Sequence, residues 1–319
     1  MLENIFQGET LINLNLYANF DSIIEDASVL RSVVRPARLQ VISKSDTSNI
    51  FPVQIDTRGN FRMKPENCNF PPLKLSFLKE KDGRSIFIKN SSVKLVSQCQ
   101  LFKSDYEEYL LQEYLIYKIF SCLSEYSFKV RLLKISYINE GFLFDTLTRY
   151  SFALEPPKEM ARRYHAKRVN SNNISIDEID FWQYKLVCFF EYMIMNNDWS
   201  TAICHNIELI QTIKDKPPFP VPFDFDWSGI IRVPYSVPSA SGSMILQPER
   251  SFKGDFKTRR QVKDMVHYFN SKRGEIYSLV SGFTELESSY RVSFIKTLDD
   301  YFNILNSYFT FNQKIIHKQ

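Results

Sequence analysis

Two stretches decide how this chain reads: MIMNNDWSTAICHN at residues 193–206 and PFDFDWSG at residues 222–229. The apolar run Leu186–Met195 leads into the first, and its pattern predicts a long helix ending near Asn196. Asp198 then falls in the loop after that helix. Asn206 falls where a strand begins, and Asp224 and Asp226 fall at the end of the next strand. Residues two apart on a strand share a face, roughly 7 Å apart. Two carboxylates on one face, with a third in the neighbouring loop, repel one another and raise each other's pKa unless a cation intervenes. A hard divalent ion such as Mg²⁺ would neutralise them, with Asn206 as a neutral oxygen ligand. Phosphoryl transfer needs this layout: one acid at the attacking hydroxyl, an Asn and an Asp on the metal, and a β-hairpin to fix their separation. The plainer alternative is a surface turn with ordinary Asp and Asn residues. The order of elements along the rest of the chain favours the chemical reading.

Upstream, the first hundred residues alternate with period two. Ile12, Leu14 and Leu16, then Leu39 and Val41, then Val53 and Ile55, then Leu73, Leu75 and Phe77 predict strands of a twisted antiparallel sheet with one buried face. Ser104 followed by Glu107 predicts a capping box for a helix over 106–123. Strand patterns follow at 128–138 and 141–148, with a tight turn at Gly141. Near Glu155-Pro156-Pro157 the character changes to a basic stretch (Arg162, Arg163, His165, Lys167, Arg168). Ser175 with Glu178 predicts a second capping box, opening the long apolar helix. Strands at 205–210 and 219–225 and a helical pattern from Lys257 onward complete the chain. The expected architecture is α+β and two-lobed, with a β-rich lobe holding one helix at 1–155 and a mostly helical lobe at 156–319.

Glu113 is the unusual residue of the first helix. Its neighbours three and four residues away are Tyr109, Leu110, Ile116 and Tyr117, so its carboxylate points into an apolar face. A buried carboxylate requires a partner. Lys74 and Lys94, each on a strand with apolar neighbours, are the candidate cations, in a pair that would hold a lysine toward phosphates. The alternative is a glutamate satisfied by tyrosine or reaching out to solvent.

Composition excludes several classes. Hydrophobic residues make up 44% and charged residues 24%, which argues against a disordered or fibrous chain. Forty basic against 36 acidic residues give a net charge of +4, too mild to indicate nucleic acid. The longest apolar run is interrupted by Glu191 and is too short to span a bilayer, and the first twenty residues do not form a signal peptide. Only nine glycines occur, and none are arranged as a dinucleotide fingerprint, a P-loop or a nucleophile elbow. Five cysteines without C-x-x-C spacing indicate neither a zinc site nor a disulfide framework. His205 reads as structural, and the 162–168 cluster as either a solvated basic face or a site for an acidic substrate.

The chain resembles the CotH-like family of atypical protein kinases, in a branch of uncharacterised bacterial relatives. The likeness spans roughly residues 50–310. It rests on Arg58–Arg62, Cys68–Leu75, Lys94–Ser97, the Tyr109–Tyr117 helix, Met193–Asn206 and Phe223–Gly229. It implies a two-lobed protein-kinase-like fold, ATP bound between the lobes, Mg²⁺ or Mn²⁺, and phosphate transfer to a protein. By the same likeness Asp198 is the catalytic acid, and Asn206 and Asp224 are metal ligands with Asp226 second or supporting. Arg58, Lys74 and Lys94 are phosphate-side cations, and Glu113 is the pairing acid. The missing H-R-D triplet, the eight-residue Asp198–Asn206 gap and the missing glycine loop separate it from ordinary protein kinases. The alternative is a pseudokinase or nucleotide-binding module without turnover. The expected partner is a protein substrate, with no nucleic acid and no transmembrane segment, and the expected state is a monomer.

Overall fold

The computed structural model describes residues 5–42, 50–59, 61–77, 92–170, 173–214, 216–234 and 249–317. The chain divides into two compact units, residues 1–114 with 129–159 and residues 115–128 with 160–319. Residues 115–128 therefore join the second unit although they precede residue 155.

The first unit is built on β1 (Ile12–Ala18), β2 (Arg35–Ile42), β3 (Ile50–Thr57), β4 (Leu73–Phe77), β5 (Ser92–Val96), β6 (Val130–Asn139) and β7 (Thr146–Leu154), with helix α1 (Phe20–Ser28) after β1. The predicted alternation is present: Leu14, Leu16, Leu39, Val53, Ile55, Leu73 and Leu75 all face one core. Their neighbours face away, as the pleat requires. The sheet is not open, however. β1 pairs antiparallel with β2 on one side and parallel with β6 on the other, Ile12 opposite Leu133 through Ala18 opposite Asn139. The strands close in the order β1-β2-β3-β4-β5-β7-β6 into a seven-stranded barrel.

This closed mixed barrel, with a separate three-stranded sheet and seven α-helices among the described residues, overturns the two-lobed protein-kinase-like expectation. The reason is physical. Alternation tells which face of a strand is buried, and that signal is the same for an open sheet and a barrel. Closure depends on a parallel pairing between strands far apart in sequence, which no local pattern encodes. Asn139 secures the seam: its Oδ1 accepts from Phe20 N at 2.9 Å, and its Nδ2 donates to Asp21 Oδ1 at 2.7 Å. Asp21 also accepts from Phe142 N at 2.6 Å, which holds the β6–β7 turn and delays β7 to Thr146 rather than 141.

Helix α2 (Asp105–Leu123) forms as predicted, but Glu107 does not serve a capping box, since its carboxylate accepts from Tyr150 N on β7. A second correction concerns the cysteines. Cys68 and Cys99 are disulfide-bonded, 31 residues apart in sequence with Cα atoms 4.7 Å apart. The β4–β5 ladder, with Leu73 opposite Leu95, leads the two segments together, and Phe70 N donates to Cys99 O at 3.2 Å. Sequence spacing alone does not carry that proximity.

The second unit contains most of α3 (Pro157–Arg163), then β8 (Lys167–Val169), α4 (Phe181–Met193), β9 (Ile207–Gln211), β10 (Phe219–Pro222), α5 (Lys263–Gly282), α6 (Ser288–Asn306) and α7 (Tyr308–Phe311). The Ser175 capping box is real, but it caps a short 3-10 turn at Ile176–Glu178. Helix α4 has its own cap, Asp180, whose side chain accepts from Gln183 N at 2.8 Å. From Gln183 to Met193 every residue of α4 is buried. Phe189 packs on Phe252, Phe269 and Phe311, and Phe190 on Phe120 and Phe225. A helix apolar all round is a central helix.

The small sheet runs β10-β9-β8, all antiparallel. Its edge strand β10 carries prolines at 220 and 222, which lack a backbone donor. Among the described residues no helix is long and apolar enough to cross a membrane.

Replacing Cys68 and Cys99 together by serine is expected to destabilise the first unit by about 2–4 kcal/mol through loss of the crosslink. The check is thermal unfolding followed by circular dichroism, in which the double variant and reductant-treated wild type should melt together and below the oxidised protein.

Candidate functional site

The site grows from the C-terminal end of α4. Arg250 donates from Nη1 to the carbonyls of Tyr192 and Met193, each at 2.7 Å. This satisfies helix-terminal acceptors with a cation, as the helix dipole favours. Met195 then turns the chain with φ of 60°. Asn196 caps the next turn by accepting from Asp198 N at 2.9 Å, a local side-chain-to-backbone turn typical of Asn. Gly229 N bonds Met195 O at 2.9 Å and Ile230 N bonds Ile194 O at 3.1 Å. From the opposite strap, Lys253 Nζ donates to Asn197 O at 2.6 Å and Trp199 O at 2.9 Å, and lies 5.7 Å from the Trp199 ring centroid. The loop carrying Asp198 is thus fixed by long-range bonds on both flanks.

Asp198 is half-buried, and both of its carboxylate oxygens are engaged. Oδ1 lies 2.8 Å from His205 Nε2. Oδ2 accepts from Asn206 Nδ2 at 3.0 Å, and the same amide nitrogen donates to Asp198 O at 2.7 Å. Ser200 and His205 exchange backbone bonds of 2.9 Å, which folds residues 200–205 into a small closed loop. Sequence reading gave His205 a structural role, whereas its ring contacts the candidate catalytic acid directly.

Asn206 and Asp224 both have positive φ, 52° and 64°. Asn and Asp tolerate this region best among non-glycine residues, although it still carries some backbone strain. Phe223 N donates to Asn206 O at 3.0 Å, and Asp224 N donates to Tyr117 Oη at 2.9 Å. Tyr117 in turn packs edge-on to Phe225, with ring centroids 4.7 Å apart. Asp224 therefore follows immediately after a direct backbone link to Asn206.

The expectation that Asp224 and Asp226 share a strand face is not met. β10 ends at Pro222, Asp224 is exposed, and Asp226 is buried at 8% exposure. Among the described residues, no three His, Cys, Asp or Glu side chains gather where they could hold a metal ion. The expected convergence of three acids is thus absent. The donor chemistry still suits one kind of cation. Because Asn206 commits its amide nitrogen to Asp198, its amide oxygen stays available as a neutral ligand, and Asp224 adds an exposed carboxylate. Mg²⁺ commonly takes one or two protein oxygens and completes its shell with water and substrate phosphates.

Glu191 went unassigned in the sequence, although a carboxylate inside an apolar run was its signal. It is 1% exposed, and neither carboxylate oxygen has a hydrogen bond of normal length. Burial pushes its pKa up to about 8, and the Asp198 charge adds to this. The Asn196 amide and the Lys253 ammonium pull it down only in part. Burial likewise lowers the Lys253 pKa, against the pull of Asp198 and Glu191.

The candidate phosphate-side cations belong to the first unit. Lys74 and Lys94 stand directly opposite each other on β4 and β5. Lys74 Nζ lies 3.6 Å from Asp56 Oδ2 on β3. Burial holds the Asp56 carboxyl above its usual value despite Lys74. Arg58 Nε donates to Leu73 O at 3.3 Å, and Glu113 is buried on α2. Asn60, part of the Arg58–Arg62 stretch, lies outside the described residues. In the basic cluster, Arg168 grips Glu208 with two nitrogens and Arg163 donates to Ser127 O at 2.6 Å. These two are structural cations.

Compared with known proteins, the chain matches no family model and no curated sequence.

Glu191 makes a pH prediction. Between its ordinary value of 4.5 and about 8, the folded chain keeps a proton that the unfolded chain has released. Its contribution to stability is therefore whole at low pH and falls as pH rises through that window. Glu191→Gln should remove the effect, so the variant should gain on wild type steadily from pH 5 to pH 8 in denaturant unfolding. A constant offset between the two across that range would exclude a protonated Glu191.

Proposed function

We propose that the loops around Asp198, Asn206 and Asp224 form a phosphotransfer centre. It uses ATP with Mg²⁺ or Mn²⁺ and acts, as a monomer, on a hydroxyl of a protein substrate. The observation that supports this most is the pinned Asp198 carboxylate, braced by Asn206 and touched by His205 at the end of a buried helix. A base that must receive a proton gains from fixed orientation. In this reading the acceptor hydroxyl docks at Asp198. As its oxygen bonds the γ-phosphorus, its proton passes to the carboxylate and ADP leaves. Asn206 and Asp224 would hold the cation, which supplies neutralising charge for the phosphates, with Asp226 supporting the loop from below. Arg58, Lys74, Lys94 and Glu113 of the first unit are proposed nucleotide-binding residues on the family likeness alone. The likeness to the CotH-like family motivates the choice of a protein acceptor.

A second reading is a nucleotide-binding module without turnover. It is favoured by one observation: both oxygens of Asp198 already have partners, one of which an acceptor hydroxyl would have to displace.

Mass spectrometry of the protein incubated with ATP and Mn²⁺ separates the two. The first reading expects a mass increase of one phosphate on the chain or on an added protein, lost by about two orders of magnitude or more in Asp198→Asn. Both readings expect a raised melting temperature with ATP and metal, through binding linkage, and Asp198→Asn should retain that shift. A shift without product supports the module, and no shift at saturating nucleotide rejects both. Asn206→Ala should melt below wild type without ligand, having lost its bonds to Asp198, and, measured against its own ligand-free melting, should lose the metal-dependent part of the shift.

A further inference from the structure

A second cluster of charged groups lies away from Asp198, where α4 meets the start of α5. A cavity of about 440 Å³ is lined by Lys185, Arg260, Gln261, Lys263, Asp264 and His267. Lys185 forms its floor. It projects from the central helix, its side chain is 8% exposed, and it lies 5.3 Å from the Phe181 ring centroid. Its ammonium donates to Asp264 Oδ2 and, at 3.4 Å, to Gln261 O. An ammonium has three donors, so one remains for a ligand. Gln261 cannot compete for it through its side-chain oxygen, which accepts from Lys257 N at 2.8 Å and Thr258 N at 3.0 Å.

The rim is more telling. Among the described residues, Arg260, Lys263 and His267 have no hydrogen-bond or ion-pair partner, although they face the same cavity as Lys185. Three permanent cations and a histidine meet a single carboxylate, Asp264. Like charges held together without counter-charge repel, and an anion in the cavity would relieve them. The surplus is about two positive charges, with the histidine counted neutral. A phosphate monoester carries about 1.5 to 2 negative charges at neutral pH, with three acceptor oxygens. A carboxylate carries one charge. The volume exceeds that of a phosphate group, leaving room for part of whatever bears it, and falls in the range usual for ligand sites. Phe181, exposed and with its ring centroid 5.3 Å from the Lys185 ammonium, offers apolar contact beside the charge.

We infer that this cavity is a binding site for a phosphate monoester, distinct from the proposed transfer centre. The inference stands whether or not the chain transfers phosphate, because it concerns binding alone.

Isothermal titration of the full chain at low salt tests it. The probes are inorganic phosphate, a phosphoserine peptide, and the same peptide with glutamate in place of phosphoserine. Saturable binding of either phosphate probe is expected, and the tighter of the two identifies free phosphate or a phosphorylated side chain as the source. The exposed double variant Arg260→Glu/Lys263→Glu should weaken that binding by about tenfold or more, and Asp198→Asn should leave it unchanged. Lys185→Met should abolish it where the variant folds, and the double variant decides the matter where it does not. Three results would overturn the inference: no saturable phosphate binding by wild type, equal affinity for the glutamate peptide, or full affinity in the double variant.

Discussion

One amide nitrogen organises the candidate site. Asn206 Nδ2 bonds both the backbone and the side chain of Asp198 across an eight-residue loop. A hydrogen bond to a charged acceptor contributes roughly 1.5–3 kcal/mol, comparable to the roughly 1–3 kcal/mol that a left-handed non-glycine backbone costs. The strained turn at Asn206 is thus offset by the contacts it makes. The same bonds fix where β9 begins. The pairing of β9 with β10 then sets the position of Phe223, and through it Asp224. If that nitrogen were lost, the acid, the candidate metal ligand and the start of the strand would all become free to move separately.

The ground beneath the site is apolar, and this governs its charges. The buried stretch of α4 leaves Glu191 in a dry environment, which pushes its pKa up to about 8. Lys253 supplies positive charge that both Asp198 and Glu191 feel. Arg250 completes the support from outside the helix by holding the last carbonyls of α4 and the carbonyl of Thr297 on α6. Position, protonation and rigidity of the loop all follow from how α4 is enclosed.

Much of this was readable locally, and the failures share a cause. The strands of the first unit, α2, the buried α4 and the loop residues Asp198 and Asn206 are encoded by nearby residues, so periodicity and turn chemistry found them. Barrel closure, the Cys68–Cys99 bond and the supports from Arg250 and Lys253 join distant segments and leave no periodic trace. The capping signals misled in an instructive way. Ser175 and Glu178 do cap, but only a single turn, because Asp180 begins the helix proper. Glu107 had the spacing of a capping box but found Tyr150 instead. Asp224 and Asp226 were placed on one face by assuming that β10 continued past Pro222. The left-handed turn at Asp224 breaks that alternation.

The prolines of β10 carry a consequence for assembly. In the pairing with β9, Phe223 points its N–H inward to Asn206, so positions 220 and 222 face outward, where neither has a hydrogen to donate. The Pro220 carbonyl already accepts from Gln183 at 3.3 Å. An extended segment of another polypeptide arriving at this margin would find no regular row of donors to zip onto. Strand addition at the β10 margin is thereby disfavoured. Among the described residues the barrel strands close on one another and present no such margin.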